Sequence, residues 1–102
     1  MSTSTLPRKL VTIIAPEAHG DSIVGEIAAI GAGASISEVR GVGTHGARPD
    51  TWHGANVQIQ TVLDEAGAAR LLAHLEHRYL PTLAIVAWVV DVAAWPAQKL
   101  AR

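Results

Sequence analysis

Two helical stripes of apolar residues separate four strand-like segments in this chain of 102 residues. The strand-like segments are rich in β-branched residues or alternate apolar with polar residues, and they cover residues 9–15, 35–42, 56–61 and 83–94. The order β-α-β-β-α-β predicts an α+β, ferredoxin-like fold, in which two helices cover one face of a four-stranded antiparallel sheet. A chain of this length builds one core, so we predict a single domain over residues 1–102, with an ordered core at about 8–95 and a loop at about 43–54.

Local signals predict where the two helices begin and end. Asp21 or Ser22 is expected to cap the first helix, and Gly31 with Gly33 is expected to end it. Asp64 is expected to cap the second helix, whose apolar stripe stops before Pro81. Both helices therefore present one apolar face to the predicted sheet.

The fourth strand segment is apolar at almost every position, as in A-I-V-A-W-V-V over residues 84–90. A strand with one face in water would alternate, so the uncovered face of the sheet is expected to meet another copy of the chain in a closed ring. Trp88 and Trp95 are expected either to pack within the subunit or to lie at this contact, since tryptophan supplies a large buried area. Residues 1–7 and 96–102 are expected to be loose ends.

Charge and composition exclude several classes of partner and chemistry. Eight basic and nine acidic residues give a net charge of -1, which offers no electrostatic footprint for nucleic acid or an anionic membrane. The absence of cysteine excludes disulfides and thiolate chemistry and suits the reducing cytoplasm, where we expect the protein. The longest apolar run, residues 83–95, is interrupted by Asp91 and shorter than the roughly 18 residues of a spanning helix, so no membrane insertion is expected.

A glycine motif follows the second strand segment. Residues 41–46 read G-V-G-T-H-G, the G-x-G-x-x-G spelling of dinucleotide-binding folds. That fingerprint requires a helix to begin at the loop, whereas Arg48-Pro49-Asp50 breaks a helix and a strand comes next. Two interpretations remain open: the glycines let the backbone approach a flat ligand closely, or they only make the loop flexible.

The residues around this motif resemble a known family. Residues 33–43, G-A-S-I-S-E-V-R-G-V-G, are similar to the second-strand signature G-x-T-x-S-E-V-x-G-x-G of the PII nitrogen-signalling proteins, which leads into a segment called the T-loop. The first strand, ending T-I-I-A-P, and the last, ending V-V-D-V, also look like PII strands, so the resemblance covers about residues 9–95. It implies a homotrimer that binds an adenine nucleotide in each intersubunit cleft and acts as a sensor, without being an enzyme and without a cofactor.

The resemblance also implies which residues bind the nucleotide. The residues expected to line the cleft are Ile13, Gly41, Val42 and Gly43. Those expected to approach the adenine from the neighbouring chain are Gly33, Ser35 and Gln60. A hydroxyl and an amide can read a base edge, although both side chains could equally be ordinary polar residues of a strand.

Departures from the family pattern concern the phosphates. L-A-I-V at residues 83–86 replaces the glycine-rich loop and lysine that cradle phosphates in PII proteins, and W-P-A after Ala94 replaces basic residues. ATP is therefore expected to gain little over ADP, with His45 and Arg48 as the remaining cations near the cleft. The loop also lacks the tyrosine that nitrogen PII proteins have modified, so uridylylation is not expected.

Thr44, His45 and Arg48 look like the short T-loop of the PII-like branch associated with inorganic-carbon uptake and carboxysomes. Members of that branch bind AMP, ADP or cyclic AMP, and some respond to bicarbonate. The resemblance thus implies ADP or AMP as the ligand, with Thr44, His45 and Arg48 among the nucleotide-binding residues. It further implies bicarbonate as a second candidate ligand, held by Arg48 and His45, and a transporter or carboxysome-related protein as the target of the T-loop.

Histidines provide the alternative hypothesis. His74 and His77 lie three residues apart with Glu76 between them, a spacing able to bind a transition metal, and His45 and His53 lie in the loop. A trimeric ferredoxin-like metal-binding protein of the divalent-cation tolerance type, or a small-molecule enzyme, would use such residues. No third ligand at motif spacing and no nucleophile elbow or P-loop is visible, so neither a metal site nor a catalytic site is predicted.

Overall fold

A computed structural model describes residues 4–40 and 55–100. The strands are β1 (Leu6–Pro16), β2 (Ser35–Arg40), β3 (Ala55–Leu63) and β4 (Val86–Ala94). The helices are α1 (Gly20–Ala29), α2 (Glu65–Arg78) and the short α3 (Ala97–Leu100), with a 3-10 turn at Glu17–His19. The predicted loop at residues 43–54 lies outside the described residues.

The four strands form one sheet in the order β2-β3-β1-β4, and every neighbouring pair is antiparallel. This arrangement confirms the predicted ferredoxin-like fold. β1 lies between β3 and β4, so it pairs along both of its edges. Val11, Ile13 and Ala15 of β1 are fully buried, as expected of a central strand beneath two helices.

The core lies between the sheet and the two long helices. Its buried residues are Val11, Ile13, Ala15, Ile23, Ile27, Val57, Ile59, Leu63, Ala68, Leu71, Leu75 and Tyr79. The predicted alternation in β3 is confirmed at Val57 and Ile59, both of which face this core. Asn56 departs from it, since it is 2% exposed on the other face, where it lies between Pro16 and Val39 in the strand register.

The start of α1 differs from the prediction. The chain passes from β1 through the 3-10 turn directly into a helix that begins at Gly20, and no side chain caps it. Asp21 and Ser22 are therefore already inside the first helical turn, where a carboxylate still interacts favourably with the helix dipole. Gly31 follows the helix with a φ of 85°, which confirms it as the end signal.

The cap of α2 is confirmed, because the Asp64 carboxylate accepts a hydrogen bond of 2.7 Å from the Gly67 N-H. We expect Asp64→Ala to lower the free energy of unfolding by about 1 kcal/mol, measured by urea denaturation at fixed protein concentration without ligand. Asp21→Ala is the matched control, since Asp21 lies in a first turn without a side-chain cap. Equal losses in the two variants would contradict the assignment of the cap.

The prediction that residues 1–7 and 96–102 are loose ends is wrong for the residues that the structure describes, 4–7 and 96–100. Leu6 and Pro7 belong to β1, opposite Ala94 and Ala93 of β4. The Ala97 N-H donates to the Ser4 carbonyl at 3.1 Å, and Arg8 Nη2 donates to the Leu100 carbonyl at 3.2 Å. The two ends of the described chain thus hold each other through long-range contacts.

The fourth strand also begins later than predicted. α2 ends at Arg78, and the Thr82 and Leu83 N-H groups donate to the Tyr79 carbonyl at 3.1 and 2.8 Å. This turn uses residues that the apolar pattern assigned to the strand, so β4 starts at Val86.

In the described part of the chain no helix is long and apolar enough to span a membrane.

Candidate functional site

The face of the sheet that the helices leave uncovered, which we term the open face, has a polar half on β2 and β3. In the strand register Ser35 lies opposite Gln60, Gln60 opposite Thr12, and Thr12 opposite Trp88. Residues directly opposite each other point to the same face, so these four form one row across the sheet. Gln60 Nε2 donates to Thr12 Oγ1 at 3.2 Å, which fixes the amide beside Ser35.

The other half of the open face is apolar. Its exposed residues, which we term the apolar patch, are Val62, Val86, Trp88 and Val90. Their side chains are 36–48% exposed although they are large and apolar. An apolar patch rimmed by polar residues is typical of a protein interface, so this face is suited to contact another protein surface.

A hollow of about 490 Å³ opens beside Ser35 and Gln60, and we term it the Ser35–Gln60 hollow. It is lined by Leu10, Gly33, Ala34, Ser35, Gln60, Thr61, Val62 and Leu100. Gly33, Ser35 and Gln60, all predicted to approach an adenine, are therefore brought together by the fold. Apolar residues beside one hydroxyl and one amide are the surroundings that a flat heteroaromatic base requires.

The loop between α1 and β2 positions Gly33 at this hollow. Thr61 Oγ1 donates to the Gly33 carbonyl at 2.8 Å, which ties the loop to β3. A Cβ added to Gly33 would meet no atom within 4 Å, so the space beside its Cα is open. A ligand can approach the Gly33 backbone without displacing protein atoms.

The structure does not bring Ile13 to this hollow. Its side chain is fully buried in the core, on the face opposite Ser35 and Gln60. The other predicted nucleotide-binding residues, Gly41, Val42, Gly43, Thr44, His45 and Arg48, lie outside the described residues.

The direction of β2 nevertheless separates the two predicted groups within one chain. Ser35 begins the strand and Arg40 ends it, just before Gly41. At about 3.3 Å per residue, those five steps span about 17 Å. A small ligand beside Ser35 therefore reaches the start of the loop more readily on a neighbouring chain than on its own.

A second hollow of about 270 Å³, which we term the cationic hollow, adjoins the first and shares Gly33, Val62 and Leu100 with it. The cations that line it are Arg8, Arg70 and Lys99, from β1, α2 and α3. Sequence reasoning missed this group because its members lie far apart in the chain and form no spacing motif. The one feature of the sequence that could have indicated an anion-binding group is that two of the three cations are arginines, since arginine is well suited to bind phosphate.

His74, considered above as a metal ligand, lies in a charged network instead. Its Nε2 is 3.1 Å from Glu26 Oε1, and Arg78 Nε is 3.2 Å from Glu26 Oε2. The Tyr79 hydroxyl donates to the same carboxylate at 2.7 Å. Burial raises the pKa of the Tyr79 hydroxyl above its ordinary value, and the hydrogen bond to Glu26 raises it further.

Among residues 4–40 and 55–100, no group of three or more His, Asp or Glu side chains is placed to hold a metal ion. His45 and His53, the loop histidines of the alternative hypothesis, lie outside those ranges.

Known proteins match this chain over most of its length. The family model described as nitrogen regulatory protein P-II matches residues 8–96. A PII-like signaling protein from Thermus thermophilus is 34% identical, with a TM-score of 0.80 over 96% of this chain and 99% of that chain. A search of curated proteins finds no match.

Two structures of CPII from Thiomonas intermedia K12 have the same fold, at 22% identity and a TM-score of 0.78. One is bound to ADP, AMP and acetate, and the alignment covers 95% of this chain and 97% of that chain. The other is bound to ADP and bicarbonate, with coverage of 96% and 98%.

Proposed function

Because the chain belongs to the nitrogen regulatory protein P-II family and is a PII-like signalling protein, we propose that it binds ADP or AMP in clefts between the subunits of a homotrimer. The observation that most supports this is the Ser35–Gln60 hollow, where Gly33, Ser35 and Gln60 lie together. The Ser35 hydroxyl and the Gln60 amide would read the adenine edge, and the apolar lining would contact its faces.

The trimer completes the site. The apolar patch on the open face would be buried against the neighbouring subunits, which explains why β4 is apolar on the side away from the helices. Gly41, Val42, Gly43 and Thr44 would then line the cleft from the chain next to Ser35 and Gln60. Ile13, whose side chain is buried in the core of that same chain, would line the cleft with them.

Bicarbonate is the second ligand in the proposal, bound by Arg48 and His45. A planar monoanion suits a guanidinium, which can donate two parallel hydrogen bonds to it. CPII from Thiomonas intermedia K12, a protein of the same fold, has been solved with ADP and bicarbonate. Through these ligands the protein would sense energy charge and inorganic carbon together.

The proposed output is binding rather than catalysis. Ligands held by residues 43–54 would favour one arrangement of this loop, and that arrangement would select a protein target such as a transporter or a carboxysome-related protein. A ligand shifts such an equilibrium only by its difference in affinity for the two arrangements, so the nucleotide must contact the loop. The proposed contacts of His45 and Arg48 meet this requirement.

Thermal unfolding with added nucleotide tests the proposal. At a ligand concentration of about 100 times the Kd, binding contributes about 2.7 kcal/mol to stability, so millimolar ADP or AMP should raise the Tm by several degrees. GDP and GMP are the controls, because they carry the same phosphates on a base with a different hydrogen-bonding edge. If neither ADP nor AMP changes the Tm at millimolar concentration, the proposed function is wrong.

Gly33→Ala tests the position of the base. We expect the added methyl group to weaken ADP binding about tenfold in calorimetry, since it occupies space that is open in the protein. The free energy of unfolding without ligand should not fall, because the Cβ meets no protein atom within 4 Å.

Gly25→Ala is the matched control, since a Cβ there also meets no atom within 4 Å and Gly25 lies on α1, away from the hollow. It should leave ADP affinity unchanged. If Gly33→Ala binds ADP as tightly as Gly25→Ala does, the base does not bind at this hollow.

A further inference from the structure

A buried hydroxyl lies behind one of the two side chains that are assigned to the base. Thr12 is at the centre of the polar row, opposite Gln60 on one side and Trp88 on the other. Its side chain belongs to the open face, yet the residue is only 2% exposed. Gln60 Nε2 donates to Thr12 Oγ1 at 3.2 Å, so the amide satisfies a polar group that is shielded from solvent.

The two partners of this hydrogen bond differ in how firmly the fold holds them. Thr12 lies on β1, the central strand that pairs along both edges, and a β-branched side chain has little freedom at χ1. Gln60 is half-buried, and its longer side chain has several torsions that leave an amide free to turn when nothing holds it. The hydrogen bond therefore sets the position of the amide rather than that of the hydroxyl.

The amide keeps one donor and one acceptor after it has bonded to Thr12. A glutamine side chain carries two N-H groups and a carbonyl oxygen, and Thr12 takes one of the N-H groups. The other N-H and the carbonyl lie side by side in the plane of the amide. Adenine presents the complementary pair, its 6-amino donor beside a ring nitrogen that accepts. Gln60 lines the Ser35–Gln60 hollow, so this pair can meet a base held there.

We propose that Thr12 is the positioning residue for the base, because it holds the Gln60 amide in the orientation that pairs with the 6-amino group of adenine. This inference rests on the proposed function and extends it to a residue that does not line the hollow. Thr12 acts from behind Gln60, while Ser35 flanks Gln60 on the other side, next to the hollow. An amide that is held before binding loses less conformational entropy when the ligand arrives.

The test compares two ligands that differ only in the 6-amino group. AMP and purine riboside 5′-monophosphate, which has hydrogen in place of that group, are titrated by calorimetry into the wild type, Thr12→Val and Thr12→Ser. We expect the wild type to prefer AMP about tenfold. Thr12→Val lacks the hydroxyl and should bind AMP about fivefold more weakly but the analogue almost unchanged. Thr12→Ser keeps the hydroxyl and should retain most of the preference.

A double-mutant cycle shows whether Thr12 acts through Gln60. Gln60→Leu removes the amide and should abolish most of the preference for AMP. In that background Thr12→Val should change AMP affinity by less than about twofold, because the group that Thr12 positions is gone. The same loss from Thr12→Val with and without the amide would contradict the inference.

Thr82→Val is the matched control. Thr82 is exposed in the turn between α2 and β4 and does not line the hollow. This variant should keep the affinities of the wild type for both ligands. Light scattering and urea denaturation without ligand measure the mass and stability of Thr12→Val, so that a loss of assembly or folding is separated from a loss of base recognition.

Three outcomes would overturn the inference, and they can be told apart. If Thr12→Val weakens AMP and the analogue equally, Thr12 supports the shape of the hollow and does not position the amide, while the proposed function stands. If the wild type binds the two ligands equally well, Gln60 does not pair with the amino group, and the nucleotide site again stands. If the wild type binds neither ligand, the proposed function fails together with the inference.

Discussion

Trp88→Glu should convert the protein from a species of about three times 10.7 kDa into monomers. Trp88 lies in the apolar patch, 44% exposed and opposite Thr12 on the open face. In the proposed trimer this face is buried, and an unpaired carboxylate there costs several kcal/mol for each subunit. Size-exclusion chromatography with light scattering at micromolar concentration measures the mass directly.

The control separates dissociation from unfolding. Ala73→Glu adds the same charge to an exposed position of α2, in the helical layer, and should remain trimeric. Circular dichroism should show that Trp88→Glu keeps its secondary structure, because the side chain is outside the core. The variant should also lose ADP binding, since each cleft needs two chains. A trimeric mass for Trp88→Glu would refute the role of the patch and the cleft that depends on it.

Arg48→Ala should weaken ADP binding by about tenfold to a hundredfold. Arg48 lies outside the described residues, so this prediction rests on the chemistry of its side chain. A guanidinium stays charged at all relevant pH and can bind a phosphate or a carbonate-like anion through two hydrogen bonds. One charge-assisted hydrogen bond contributes roughly 1.5–3 kcal/mol, which corresponds to that range of affinity. The trimer should persist, because the apolar patch is unchanged.

His45→Ala provides the comparison, because an imidazole is only partly protonated near pH 7 and makes a single such bond. Its effect on ADP affinity should be smaller than that of Arg48→Ala. Both variants are titrated with ADP and AMP, with and without bicarbonate. The competing hypothesis is that Arg48 is a surface residue next to Asp50, either solvated or in a weak ion pair. In that case its removal leaves affinity unchanged under every condition, and the loop loses its role in the site.

The parts of the fold that follow from local pattern were predictable. The alternation of Val57 and Ile59 with polar residues is set by the pleat of one strand, and the Asp64 cap is set within one helical turn. The start of α1 was not predictable, because the 3-10 turn at Glu17–His19 leads directly into the helix and places Asp21 and Ser22, the predicted caps, inside its first turn. The terminal segments were misjudged because their partners lie at the opposite end of the chain.

The candidate site was predictable to the extent that its residues are adjacent in a motif. Gly33 and Ser35 lie within the resemblance itself, and Gln60 faces Ser35 across the β2-β3 register. That register, absent from the linear sequence, also places Ile13 on the opposite face. The cationic hollow could not be foreseen, since Arg8 and Lys99 meet only after β1 and β4 have paired.

The side chains assigned to the adenine, those of Ser35 and Gln60, lie outside the buried core. Substitutions at such surface positions usually change stability by no more than about 0.5 kcal/mol. Selection can therefore exchange the base preferred by such a protein with little penalty to folding. Related chains with the same sheet and helices are free to diverge in the metabolite they detect.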